Sequence, residues 1–194
     1  MRAVLLLLIA CTVGGHLFAQ KINFGKKTRV TRFDKENNKF AKVDKDGNID
    51  QKLDVDQLFE MLDWNGRAID TTMKKKGYLL MQKDIDSTSS MFQYSVTDHK
   101  EDGPTTIRSF VYMDATVGEM KGRMITYRTY DKQEFSDISG YLLSHNYQRT
   151  NQFEMGDAKH SVYTNGTQTI RVKVTTTQLK TKQTFTSYEL ELGK

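Results

Sequence analysis

The chain has 194 residues, with 29 Lys+Arg against 24 Asp+Glu and a formal net charge of +5. That length fits one domain or two small ones and suffices for a real core. Its lysines are interleaved with acids, so they read as a solvated surface and argue against a nucleic-acid interface.

Residues 1–19 read as a signal peptide. Met1-Arg2 supplies a charged start, "AVLLLLIACTV" (Ala3–Val13) a short apolar core, and Ala19 before Gln20 a cleavage point, although Leu17 is large for its position. The apolar run is too short to span a bilayer, which takes ~20 residues. Two alternatives stand beside cleavage: an uncleaved anchor, and a lipoprotein in which "LIAC" (Leu8–Cys11) is a lipobox and Cys11 carries the lipid. Cleavage would leave a net charge of +4 and no cysteine, because Cys11 is the chain's one cysteine. That excludes cysteine nucleophiles, thiolate metal sites and redox motifs in the mature chain. An exported chain without disulfides points to a bacterial periplasmic or extracellular protein.

Residues 20–53 are expected to form an N-terminal arm or hairpin, with "RVTRF" and "KFAKV" alternating around "DKENN". The stretch "VDKDGNIDQKLDVDQLF" (Val43–Phe59) nearly spells a calcium loop, since Asp44, Asp46 and Asn48 hold positions 1, 3 and 5. Such a loop needs glycine at position 6 and a bidentate acid at position 12; Ile49 and Val55 stand there instead. The stretch reads as a turn before a helix that needs Val55 inward, and no metal site is assigned.

In "LDVDQLFEMLDWNGRAIDTTMKKKGY", Val55, Leu58, Phe59 and Leu62 share one helical face, and Asp54 with Gln57 opens it as a capping box. Asn65-Gly66 should break or kink the run; Ile69 and Met73 resume the stripe before Gly77 ends it. A second helix starts at Asp131 with Glu134 and carries Phe135, Ile138, Leu142 and His145. Four strand-like runs follow each helix. They are "GYLLMQKDI", "SMFQYSVTD", "TTIRSFVYMDATV" and "MKGRMITYRTY", then "YQRTNQFEM", "KHSVYTN", "TQTIRVKVTTTQ" and "QTFTSYELEL". Ile170, Val172 and Val174 alternate with Arg171 and Lys173, and Tyr188, Leu190 and Leu192 with Glu189 and Glu191. Asn165-Gly166 is a type I′ hairpin signal.

The expected fold class is therefore α+β: two tandem repeats of a helix followed by a four-stranded antiparallel sheet, residues 54–130 and 131–194, after the N-terminal arm or hairpin. Ile69, Met73, Tyr78 and Tyr94 match Ile138, Leu142, Tyr147 and Tyr163 at one offset. Beyond the "TDHKEDGP" loop, Ile107-Arg108 is matched to Ile170-Arg171 and Thr126-Tyr127 to Ser187-Tyr188. This element order resembles the beta-lactamase inhibitory protein family, and the chain is also similar to small secreted bacterial proteins. The resemblance implies two units forming a concave sheet and a face that binds protein. It carries over no binding residue and none of that family's cysteines.

No catalytic motif emerges. His99, His145 and His160 are scattered, with no HExxH; His145 sits on a helix stripe and is expected to be half-buried. There is no GxSxG, SxxK or phosphate loop, and "SDISG" lies inside a helix. "KKTRVTR" and "KKK" are basic runs; the second sits at a helix C-terminus, where the dipole favours cations. "RSFVYMD" and "MITYRTY" place apolar or aromatic side chains on both faces of a sheet, making Phe110, Tyr112, Tyr127 and Tyr130 candidates for an exposed, partner-binding aromatic patch. The expectation is a secreted, non-enzymatic module of a bacterial envelope that holds a protein or peptide on that patch, with no cofactor. The alternative is a secreted enzyme or small-ligand binder acting on polysaccharide or lipid, with a site between the repeats.

Overall fold

The structure is a computed structural model and describes residues 50–100, 103–178 and 184–194. The chain divides into two units, Met1–Asn37 and Asn38–Lys194, and the described residues all belong to the second. The expected signal peptide with Cys11, the expected arm or hairpin of "RVTRF" and "KFAKV", and the turn expected at Asp44–Asn48 lie outside the described residues.

Among the described residues three helices and eight strands follow one another: α1 (Val55–Met61), α2 (Gly66–Lys75), β1 (Leu79–Ile85), β2 (Ser89–Lys100), β3 (Gly103–Val117), β4 (Met120–Thr129), α3 (Lys132–Ser144), β5 (Gln148–Met155), β6 (Ala158–Thr164), β7 (Thr169–Gln178) and β8 (Thr184–Gly193). Every strand lies within two residues of its expected ends, because period-2 alternation marks them well. All pairings are antiparallel, in one sheet ordered β1-β2-β3-β4-β8-β7-β6-β5. The protein is thus a mixed α+β fold dominated by an eight-stranded sheet. No helix among the described residues is long and apolar enough to cross a membrane.

Local chemistry explains the helix ends. Asp54 accepts from the Gln57 N–H at 2.7 Å and starts α1, with Val55 buried as its face requires. Asn65-Gly66 does more than kink the run: Asn65 accepts from the Ala68 N–H and caps a separate helix. A Cβ on Gly66 would stand 2.7 Å from the Phe92 ring, so only glycine lets α2 settle this close to β2. Helices α2 and α3 end alike, with Gly77 (φ 79) and Asn146 (φ 58) in the left-handed region. Tyr78 N–H then reaches the Met73 carbonyl, and Tyr147 N–H the Leu142 carbonyl, each at 2.9 Å, closing a Schellman turn.

Two turns differ from expectation. Thr164 pairs with Thr169, so the β6–β7 hairpin is closed by four residues, not by a two-residue type I′ turn at Asn165-Gly166. The Asn165 carboxamide oxygen accepts from the N–H groups of Thr167 and Gln168, which draws them into the loop. The "TDHKEDGP" segment is less of a loop than its polarity suggests: Asp98 and His99 lie on β2 and Pro104 on β3. Between β1 and β2, Asp86 accepts from Thr88 and Ser89, and those hydrogen bonds pull its pKa down to about 2.

The core lies between the helices and one face of the sheet. Leu58, Met61, Ile69, Met73, Ile138 and Leu142 meet Tyr94, Phe110, Tyr112, Ile125, Tyr127, Ile170, Val172, Leu190 and Leu192. A fully buried side chain of this kind contributes about 1.5–3 kcal/mol. His145, expected half-buried, is exposed: it caps α3, where the chain reverses at Asn146, and its ring stacks on Tyr141.

Inside this core sits a buried ion pair. Arg108 donates from Nε (2.9 Å) and Nη2 (2.7 Å) to Glu134 Oε2, Thr129 Oγ1 donates to the same oxygen at 3.0 Å, and the Tyr127 hydroxyl donates to Oε1. Burial opposes the Arg108 charge, but Glu134 outweighs it and holds the guanidinium protonated. Glu134 therefore turns inward to the network, while Asp131 caps α3 by accepting from Gln133 N–H and Glu134 N–H.

Candidate functional site on the helix-free sheet face

Residues directly opposite in an antiparallel ladder share a face. Followed from strand to strand, the pairings draw straight rows across the sheet. On the face away from α1–α3, helix-free among the described residues, one row is Leu79–Ser95–Ser109–Arg128–Glu189–Lys173–His160–Phe153, one residue from each of the eight strands. The row beside it is Gln82–Gln93–Val111–Thr126–Glu191–Arg171–Val162–Asn151.

Charges gather where β4, β8 and β7 adjoin. Arg128 hydrogen-bonds Glu189 through Nε at 2.8 Å and through Nη2, and Lys173 Nζ lies 3.7 Å from the other Glu189 oxygen. Arg171 pairs with Glu191 in the neighbouring row. Burial works against the Arg128 charge; Glu189 overcomes it, with Tyr130 adding to the effect. The result is a fixed alternation of sign, half-exposed and ordered by cross-strand contacts.

At the end of this stripe His160 is 8 % exposed, and neither ring nitrogen has a hydrogen-bond partner among the described residues. Its ring stacks on Phe153, with centroids 4.9 Å apart. Burial foremost, then Lys173 and Arg171, push its pKa below the ordinary imidazole value, while Glu189 opposes them. The neutral ring therefore offers one donor and one acceptor. Ser95 in the same row is also buried with an unpartnered hydroxyl.

The expected aromatic patch is corrected by burial. Phe110, Tyr112 and Tyr127 are each 0 % exposed and face the helices. Tyr112 donates to the Trp64 carbonyl at 2.9 Å, Tyr127 to Glu134, and Phe110 packs against Tyr94. Helices need an apolar sheet face beneath them, and these rings supply it. Of the four candidates, Tyr130 alone is exposed, at the end of β4 near Arg128.

The residues that sequence reasoning missed as a site are Arg128, Lys173, Glu189 and His160. Alternation had shown Arg171, Lys173, Glu189 and Glu191 opposing apolar neighbours. The adjacency of β4, β8 and β7 that joins them has no local signal.

A shallow groove of about 380 Å³ beside α2 is lined by Gly66, Arg67, Asp70, Lys83, Ile85, Ser90 and Phe92. Its carboxylate is occupied, since Asp70 accepts from Lys74 at 2.6 Å and from Tyr94 at 3.0 Å. Among the described residues no group of three His, Cys, Asp or Glu side chains could hold a metal ion. Comparison of the chain with family models, with curated proteins and with solved structures found no match.

Proposed function

We propose that this chain is an exported, non-enzymatic binding module that holds a protein or peptide on the helix-free face of its sheet. One observation carries the reading: the Arg128–Glu189–Lys173 stripe fixes alternating charges beside an unpartnered, nearly buried imidazole on a broad surface. Paired charges of this kind give specificity and orientation to a partner more than raw affinity. The polar groups of the stripe engage one another, which is unlike an acid–base pair aimed at a substrate. Export rests on the signal-like residues 1–19.

We further read the fold as a tandem duplication, and the ladders support this in detail. The β1–β2 register slips between Leu80 and Gln82, and the β5–β6 register between Arg149 and Asn151, at the offset that also relates Tyr78 to Tyr147. The left-handed residues Gly77 and Asn146 keep that offset. Farther along, the ladders amend the residue matches. Tyr94 faces Phe110 as Tyr163 faces Ile170, which equates Phe110, not Ile107, with Ile170. Phe110 faces Tyr127 as Ile170 faces Leu192, which equates Tyr127 with Leu192, not Tyr188. The architecture of the beta-lactamase inhibitory protein family, two units sharing one sheet, belongs to this proposal.

The test compares wild type with Arg128→Glu/Lys173→Glu for capture of envelope and secreted proteins, with Leu143→Ala as a control on the helix side, where Leu143 is 76 % exposed. A partner held by wild type and the control but lost by the charge reversal supports the reading. Retention by the reversal, or no partner at all, overturns it.

A further inference from the structure

A third row on the helix-free face is made of methionines. Met91 on β2 lies directly opposite Met113 on β3, and Met113 directly opposite Met124 on β4. All three are half-buried. The row continues to Gly193 on β8, which has no side chain to cover Met124. The next row is Ser89–Ala115–Gly122, small at every position, and a Cβ on Gly122 would meet only the Lys194 carbonyl, at 3.8 Å. The thioethers are therefore bordered by low ground on two sides.

The helix-covered face fills its directly opposed positions with aromatic and branched side chains. Here three unbranched, polarisable side chains stand in line instead. Adjacent strands lie about 4.8 Å apart, so the outer two methionines are about 9.6 Å apart at the backbone. Each has three rotatable bonds and can lean toward Met113. Metal–sulfur bonds run about 2.3 Å, which puts three sulfurs around one ion about 4 Å apart. Side-chain rotation alone is the movement that would bring the three sulfurs to that spacing. Thioether sulfur is a soft, neutral donor that selects a soft cation such as Cu(I), whereas Ca²⁺ and Mg²⁺ take oxygen ligands.

We propose that Met91, Met113 and Met124 form a three-thioether site for a soft monovalent cation, Cu(I) or its redox-silent analogue Ag⁺. The site is independent of the protein-binding reading, since it uses none of the charged stripe. Binding involves no electron transfer and displaces only water.

The test is titration of the full chain with silver nitrate in chloride-free buffer, in a Cys11→Ser background so that the one thiol takes no ion. Calorimetry gives the stoichiometry, and methionine methyl NMR reports which thioethers bind. The expected result is one ion per chain with shifts confined to Met91, Met113 and Met124. Met113→Leu keeps the volume and the fold. It should weaken binding by more than about tenfold, because even groups that merely support a metal ligand are worth that much. Met120→Leu, at the 57 % exposed first position of β4, should bind as wild type does. Absence of binding, equal shifts at Met120 and Met155, or unchanged affinity in Met113→Leu would each show an apolar surface only and overturn the proposal, and competition by Ca²⁺ would overturn it by showing oxygen ligands at the site.

Discussion

The two faces of the sheet treat polar groups in opposite ways. Beneath the helices, Arg108 and Glu134 are buried but complete: Glu134 accepts from Arg108, Thr129 and Tyr127. On the other face His160 and Ser95 are nearly as buried and have no partner among the described residues. A satisfied buried network fixes a structure, whereas an unsatisfied one costs stability and needs another reason to be there. The contrast teaches that polar burial completes the assembly on one side, while on the other it leaves the groups on which the proposed recognition rests.

The largest effect should come from breaking the satisfied side. Glu134→Ala leaves Arg108 buried without its counter-charge and should cost about 3–5 kcal/mol, measured by urea unfolding. Gly66→Ala drives a methyl toward the Phe92 ring and should cost about 1–3 kcal/mol. Adding Phe92→Leu to Gly66→Ala should recover part of that loss, and a strictly additive double mutant would show that the close approach is not the cause.

The sequence made one of these faces far more legible than the other. Strand limits and helix caps were readable because they rest on alternation and on residues three apart. The sidedness of β3 and β4 was not. "RSFVYMD" and "MITYRTY" are apolar on both faces, so nothing local says whether Phe110 and Tyr112 or Val111 and Met113 go beneath the helices. Glu134 misled for a similar reason, since a glutamate three residues after an aspartate reads as a capping box. Arg108, 26 residues earlier, draws it inward. The charged stripe depends on β4 pairing with β8, a contact between distant segments.

On the face away from α1–α3 the effects should be smaller in stability. His160 has a folded pKa below its unfolded value, with burial the main cause and Lys173 and Arg171 next. The unfolded chain therefore takes up a proton that the fold resists. The stabilising contribution is complete above the ordinary imidazole range near 6.5 and is lost as pH falls through that range to the folded pKa. Unfolding at about pH 7.5 and about pH 5.5 should show wild type losing more stability than His160→Leu, and equal losses would count against the assignment. Arg171→Ala should be the mildest change, within about 1 kcal/mol, because its pair with Glu191 is half-exposed.

The most direct measurement is side-chain footprinting by hydroxyl radicals on the full chain, free and bound to the captured protein. Phe153 and Tyr130 are about equally exposed on or beside the helix-free face, at 42 % and 40 %, and Leu143 marks the helix side. Binding should protect Phe153, Tyr130 and Met113 while Leu143 keeps its reactivity. Protection of Leu143 with Phe153 and Tyr130 unchanged would place the partner over the helices and contradict the account.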